Sequence, residues 1–269
     1  MSSADSPKAN ILKQIIDCTV ADLQIKKKQV DEELLWRHAR GMVTPAPFAD
    51  ALRRPDPEGL PKIIAELKKA SPSKGLIRRD LQVVSLAREL AAAGASALSV
   101  LTEPHFFQGS MRNLKLAADN VEIPVLRKDF IVDPYQILEA RVYGASAVLL
   151  IMAALDLEQL KDLRLAAEEA GLDILLEVHS ATELETALTV EPDIVGVNCR
   201  NLETFETDLE AAADLISKIP QGIVSVAESG IMNPADFKQI KETGADSCLI
   251  GEYLMKAESP GTVLRELAK

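Results

Sequence analysis

Eight short apolar runs recur along this chain, each separated from the next by a stretch with helical patterning. The runs are Ile63–Leu67, Ala97–Leu101, Pro124–Arg127, Ala147–Ile151, Asp173–Val178, Asp193–Asn198, Gly222–Ala227 and Asp246–Ile250. The stretches between and after them are Leu81–Ala93, a short one in Ser110–Asp119, Pro134–Tyr143, Leu157–Ala170, Ala181–Thr189, Asp208–Ile219, Pro234–Glu242 and Gly261–Ala268. Several helices end in a small turn before the next strand, as in Ala93-Gly94-Ala95-Ser96 and Thr243-Gly244-Ala245-Asp246. Glycine there suits a helix C-cap. Strand and helix alternating in this way, at roughly 25 residues per unit, predict an α/β fold, a parallel (β/α)8 TIM barrel. A doubly wound open sheet is the alternative. It would more often have fewer strands and a glycine-rich fingerprint after the first, which is missing.

The barrel is assigned to 48–269. Residues 1–47 fall outside the eight units. Ile11, Leu12, Ile15, Ile16 and Val20 form a helical stripe. They predict an N-terminal helical extension of one or two helices packed on the barrel, within a single domain overall. The following Lys26-Lys27-Lys28 reads as a solvated helix face.

Charge and cysteine content narrow the function classes. The net charge of −11 argues against a nucleic-acid footprint and against attraction to anionic membranes. An anionic ligand therefore needs a local positive site. Cys18, Cys199 and Cys248 are far apart and form no CxxC, and Met1–Asn10 has no apolar core. Both features predict reduced thiols in a cytoplasm. No apolar run reaches the roughly 18 residues of a membrane span. His38, His105 and His179 show no ligand spacing, so no metal is expected.

In this fold the chemistry sits at the C-terminal ends of the strands. The first strand ends in Glu66 and Lys68, which share a face with Ile64 because alternate strand residues do. Charges beside Ile64 are costly if desolvated unless they are paired or used. The third strand ends in Arg127-Lys128-Asp129-Phe130, the fifth in Glu177, the sixth in Asn198-Cys199-Arg200, the seventh in Glu228-Ser229-Gly230 and the eighth in Gly251-Glu252. Parity puts Lys128 with Leu126 and Glu177 with Leu175. Two lysines and two or three glutamates therefore converge on one barrel mouth. The loops after the seventh and eighth strands are the common phosphate position of the fold, which nominates Ser229, Gly230, Gly251 and Glu252. Glu252 is the awkward member, a carboxylate beside a phosphate. Its side chain is expected to turn outward and leave only its N–H. Gly251 is expected to leave the approach to the phosphate open. Phe107 and Phe130, in strand-end loops, read either as core or as a wall for an aromatic substrate.

These motifs resemble one family. The segments Ile63-Ile64-Ala65-Glu66-Leu67-Lys68-Lys69-Ala70-Ser71-Pro72-Ser73-Lys74-Gly75, Ser99–Glu103, Pro124–Ile137, Leu176–His179, Gly196–Leu202 and Ala227–Ile231 look like those of indole-3-glycerol phosphate synthase. The likeness runs from about residue 48 to the end, and the helical extension also fits. Departures are Cys199, where Asn or Ser is less surprising, and Glu252, where some members carry Ser. The resemblance implies a phosphorylated small-molecule substrate, 1-(2-carboxyphenylamino)-1-deoxyribulose 5-phosphate. It would be closed, decarboxylated and dehydrated to indole-3-glycerol phosphate without a cofactor. It implies Lys128 as general acid, Lys68 and Glu177 for the dehydration, and Glu66 orienting Lys68. It further implies Asn198, Glu228, Arg200, Ser71, Phe107 and Phe130 around the substrate, with tryptophan synthase downstream. Which lysine acts in which step stays open. Two rivals remain. Another phosphate-binding barrel, such as a phosphoribosyl-amine isomerase, would lack the double lysine and the Ser-Pro-Ser loop. An inactive barrel serving as a scaffold is opposed by intact Lys68, Lys128 and Glu177.

Overall fold

The computed structural model describes residues 9–200 and 208–269. Residues 1–8 of the expected extension, and Asn201 and Leu202 of the sixth-strand motif, lie outside the described residues. Among those described, eight parallel strands close into a barrel: β1 (Lys62–Leu67), β2 (Ala97–Leu101), β3 (Val125–Lys128), β4 (Ala147–Ile151), β5 (Asp173–Val178), β6 (Ile194–Asn198), β7 (Val224–Glu228) and β8 (Ser247–Ile250). Each strand pairs with its sequence neighbours, and β1 pairs with both β2 and β8 to close the ring. The expected strands all form. Two end one residue later than their apolar patterns. Lys128 pairs with Leu101, and Glu228 pairs with both Asn198 and Leu249. Ladder hydrogen bonds extend each strand through a charged residue, and that fixes both charges rigidly.

The outer ring is built from α4 (Val83–Ala92), α5 (Met111–Ala118), α6 (Pro134–Val142), α7 (Leu157–Ala170), α8 (Ala181–Leu188), α9 (Leu209–Ile216), α10 (Pro234–Thr243), the short α11 (Glu252–Lys256) and α12 (Pro260–Leu267). Local chemistry sets their ends. In α7, Asp156 and Gln159 exchange side-chain to backbone hydrogen bonds in a capping box, and Gly171 stops the helix at φ 67.

Strand parity divides the apolar residues into two cores. Ile64, Ala97, Leu126, Leu149, Leu175, Ile194, Val226 and Leu249 fill the barrel, while their strand neighbours face the helices. The N-terminal end of the barrel is stoppered by a helix before β1, α3 (Phe48–Leu52), whose Phe48 and Leu52 are fully buried in the interior core. Asp173 at the start of β5 accepts hydrogen bonds from the N–H groups of Phe48 (2.7 Å) and Ala49 (2.9 Å). A carboxylate there suits the positive end of a helix.

Ahead of α3 run α1 (Ala9–Gln29) and α2 (Glu32–Arg40). The lysine run of α1 is not simply a solvated face. Lys26 reaches Glu139 of α6 at 2.9 Å, and Lys27 reaches Asp133, the α6 N-cap, at 2.6 Å. These partners are more than a hundred residues distant in sequence, so no local pattern announces them. Glu139 also lies 3.0 Å from Arg127, a fully buried outward-facing residue of β3 that holds Asp129 at 2.8 Å.

Phe48→Ala should destabilise the chain by about 3–5 kcal/mol, the usual cost of deleting a buried ring. Urea unfolding measures it, and a loss below about 1 kcal/mol would show that α3 does not stopper the barrel.

Candidate active site

The inward positions at the C-terminal end of the barrel change from apolar to charged in one layer. Ile64 is followed by Glu66, Leu126 by Lys128, Leu175 by Glu177 and Val226 by Glu228. Lys128 Nζ sits between two carboxylates, 2.5 Å from Glu228 Oε2 and 3.3 Å from Glu177 Oε2. Lys68, just past β1, lies 3.1 Å from Glu66 Oε2. Asn198 donates to Glu177 Oε1 at 3.3 Å and accepts from the Arg200 N–H at 3.0 Å.

Two glycines make this layer possible. A Cβ on Gly196 of β6 would collide with Glu228 Oε1, and one on Gly251 would meet the carboxylate of Glu66. The space that a Gly251 side chain would need is taken by the Glu66 carboxylate, which leaves the expected role of its backbone N–H untouched.

Electrostatics sets the two glutamates apart. Burial pushes Glu177 up, but Lys128, His179 and Asn198 outweigh it and hold the carboxylate well below its usual range. Burial pushes Glu228 up to about 7, with Glu177 reinforcing the rise and Lys128 opposing it. Among the described residues, buried Glu228 Oε1 has no hydrogen-bond partner. Burial also opposes the Lys128 charge, but Glu228, Glu177 and Glu66 override it and raise the ammonium above the lysine range. Carboxyl groups driven apart in this way take different proton-transfer roles.

Above this layer opens a cavity of about 390 Å³ lined by Glu66, Lys68, Ser71, Phe107, Lys128, Phe130, Glu177, Asn198, Arg200, Glu228, Ser229, Gly230, Gly251 and Glu252. Every expected site residue is therefore brought to one place. The Phe107 and Phe130 rings stand 6.0 Å apart between centroids. The Ser-Pro-Ser-Lys-Gly loop is a small hairpin in which Ala70–Ser71 pairs with Gly75–Leu76, and the Ser71 hydroxyl accepts from the Lys74 N–H at 3.3 Å. Ser229 (φ 68) and Gly230 (φ 89) are consecutive left-handed residues at the end of β7. Such strain in a non-glycine residue collects at functional sites.

Glu252 departs from expectation. Its side chain does not turn outward. It is buried, with Lys256 at 2.6 Å and Arg200 at 3.7 Å. Burial pushes its carboxyl up, but Lys256, Lys74 and Arg200 outweigh that and lower it. One acid thus gathers three cations at the rim. Arg200 also reaches the Ser73 hydroxyl at 3.4 Å.

Three contributors escaped the sequence reading. Ile11, Leu12 and Ile15 of α1 line the cavity, so the apolar stripe serves the site as well as the scaffold. Glu103 is buried after β2 and accepts the N–H groups of His105, Phe106 and Phe107 at 2.7–2.9 Å, which shapes the loop that carries Phe107. His179, set aside for lack of ligand spacing, stands beside Glu177. The apolar stripe of α1 and the Glu103-Pro104 turn after a strand were the signals the sequence offered, neither of which pointed to the cavity itself.

Gly251→Ala should lower kcat/KM by displacing Glu66 from Lys68. In a Glu66→Ala background the same change should cost almost nothing, so a double-mutant cycle reads the coupling directly; additive losses would defeat this account. Glu228 generates a second expectation. Its folded value, about 7, lies above the ordinary 4.5. For an acid this means that folding is penalised as pH rises from the lower value through the higher, and fully above it. Glu228→Gln should therefore raise Tm at pH 8 by a few degrees, on the order of 1 kcal/mol, with the gain fading by pH 5. A gain of equal size at both pH values would contradict the assignment.

Comparison with known proteins agrees with this geometry. Residues 12–267 match the family model for indole-3-glycerol phosphate synthase. The indole-3-glycerol phosphate synthase of Koribacter versatilis is 47% identical over 259 residues, covering 96% of this chain and 99% of that protein. The Bordetella pertussis enzyme of the same name is 43% identical over 258 residues, covering 96% and 98%. Among solved structures, 3-hexulose-6-phosphate synthase from Salmonella typhimurium superposes with a TM-score of 0.59 at 16% identity, over 77% of this chain and 96% of that one, a likeness of fold alone. By sequence over nearly its whole length, the chain belongs to the indole-3-glycerol phosphate synthase family.

Proposed function

We propose that this chain converts 1-(2-carboxyphenylamino)-1-deoxyribulose 5-phosphate to indole-3-glycerol phosphate, CO2 and water, with Lys128 as the general acid of ring closure. The observation that carries the proposal is Lys128 itself. It is an ammonium kept charged by three carboxylates and set at the floor of a cavity with aromatic walls. Ring closure joins the carboxylate-bearing ring carbon to the substrate ketone, whose oxygen needs a proton as the bond forms. A protonated lysine supplies it. CO2 then departs from that ring carbon, and its bonding electrons restore the aromatic ring. The hydroxyl formed from the ketone leaves as water in the last step, which needs an acid and a base. Lys68 is the second acid and Glu177, held ionised, is the base that takes the remaining proton. Glu66 orients Lys68, which also faces the substrate carboxylate.

Position supports the binding roles in this reading. Phe107 and Phe130 receive the anthranilate ring. Asn198, Glu228 and Ser71 meet polar groups of the chain, and Arg200 braces the rim. The phosphate sits at Ser229 and Gly230 with the N–H groups of Gly251 and Glu252. The left-handed turn supports this placement, as do the cations Lys74 and Arg200, which offset a net charge of −11. The Glu252 carboxylate, neutralised by its cations, keeps Arg200 in place rather than repelling the ligand.

The extension of residues 1–47 and the barrel of residues 48–269 act as one unit, a reading supported by the ion pairs from α1 to α6. A cytoplasmic setting, and tryptophan synthase as the consumer of the product, belong to the same proposal. Among the described residues no helix is long and apolar enough to cross a membrane.

The test is turnover by the purified protein, followed by indole fluorescence. Product should form without added metal and in the presence of chelator. Lys128→Ala should lower kcat by about 10²–10⁴-fold, the usual share of a general acid, while KM changes little. Lys68→Ala should damage both parameters. A Lys128→Ala protein with near-normal kcat would remove Lys128 from the role, and absence of turnover in the unaltered protein would favour the scaffold reading.

A further inference from the structure

His179 follows immediately on β5, two residues after Glu177, and its side chain is 13% exposed. Its Nε2 lies 3.2 Å from Glu177 Oε1 and its Nδ1 lies 3.4 Å from Glu183 Oε2 in the first turn of α8. Among the described residues neither ring nitrogen has a hydrogen-bond partner of good alignment, and each faces one carboxylate oxygen at close range. Glu183 is fixed in turn. The same Oε2 accepts the His179 backbone N–H at 2.7 Å, and the Glu183 N–H donates to the N-cap Ser180 at 3.2 Å. The ring is therefore clamped between one carboxylate of the site and one of the scaffold. Burial alone would discharge it, but Glu177 and Glu183 override that and push it up to about 10.

The charges around Glu177 have different fates during the proposed reaction. Lys128 from β3 holds Glu177 and Glu228 together while it is an ammonium. Once it has given its proton to the substrate it is neutral, and two buried carboxylates face each other without it. Like charges so placed cannot both remain ionised, and one takes up a proton from solvent. If that one were Glu177, the base for the last step would be lost. Among the described residues Glu228 from β7 pairs with no cation besides Lys128, and its Oε1 has no hydrogen-bond partner. Glu177 keeps His179 and the Asn198 amide from β6.

We propose that His179 is a positioning residue: an imidazolium fixed between Glu177 and Glu183, it assigns the role of base to Glu177 rather than to Glu228 after Lys128 has given up its proton. The proposal rests on the reaction assigned above, with Glu177 as base. His179 itself touches no reacting atom, and its proton is not consumed.

The experiment is the pH profile of kcat for the unaltered enzyme, His179→Gln and Glu183→Gln. The acid limb should move upward by about one unit or more in His179→Gln, the scale of shift that follows loss of one close charge. Glu183→Gln should move it in the same direction by less. KM should stay within about twofold, because ground-state contacts are untouched. At high pH the His179→Gln enzyme should regain most of its rate. A residue that merely packs would lower kcat equally at every pH, and a His179→Gln profile with the unaltered shape overturns the proposal. Should the variant fail to fold, 15N NMR of the unaltered protein decides. The His179 ring should remain an imidazolium through pH 8, and a neutral ring at pH 7 overturns the proposal. Glu177→Gln separates the two readings. Full activity there would sink the assignment of the base, whereas an inactive Glu177→Gln beside an unshifted His179→Gln profile would sink only the role of His179.

Discussion

One ammonium shared by two buried carboxylates is the constraint around which this barrel is arranged. Lys128, Glu177 and Glu228 come from three strands, and none of them is tolerable alone in an apolar interior. Their mutual neutralisation lets the charged layer sit directly on the packed layer of Leu126, Leu175 and Val226. The rest of the mouth accommodates that cluster. Gly196 gives up its side chain so that Glu228 fits, and Gly251 does so for Glu66. Asn198 and His179 take the free oxygen of Glu177. The cost is local. Glu228 is held where its charge is disfavoured, a strain that the large apolar cores absorb.

The ring of helices is less regular than the strands inside it, and its irregularities serve the site. α6 is buried on nearly every face because α1 and α2 lie across it. Its Gln136 accepts the Val132 N–H and donates to the Phe130 carbonyl, which ties down the loop carrying an aromatic wall. Arg127, adjacent to Lys128 but facing outward, bonds the Gln136 carbonyl at 2.7 Å and pairs with Asp129 and Glu139. The strand that presents Lys128 is thus fastened from behind by a buried ionic network, whose disruption would leave uncompensated charge.

Much of this was legible in the sequence, for a physical reason. A closed parallel sheet buries both faces of each strand, so its strands are dense apolar runs, and a charge at the end of one is conspicuous. Parity then says which charges converge, and Glu66, Lys128, Glu177 and Glu228 do. What escaped depends on partners distant along the chain. Lys26 and Lys27 look solvated until Glu139 and Asp133 are folded against them. Glu252 looks repulsive until Lys256 and Arg200 close around it. The need for a glycine at Gly251 to make room for the Glu66 carboxylate shows only once β1 and β8 are side by side. His179 carries no spacing signal because its partners are charges rather than a metal.

The first helix belongs to two different regimes of solvent physics. Its early apolar residues Ile11, Leu12 and Ile15 line the cavity, and its late residues Lys26 and Lys27 hold α6 by ionic contact. Added salt screens the late end and leaves the early one alone. Cooling acts on the early end, because the hydrophobic driving force fades at low temperature. Ionic strength and temperature therefore grip opposite ends of the same rod.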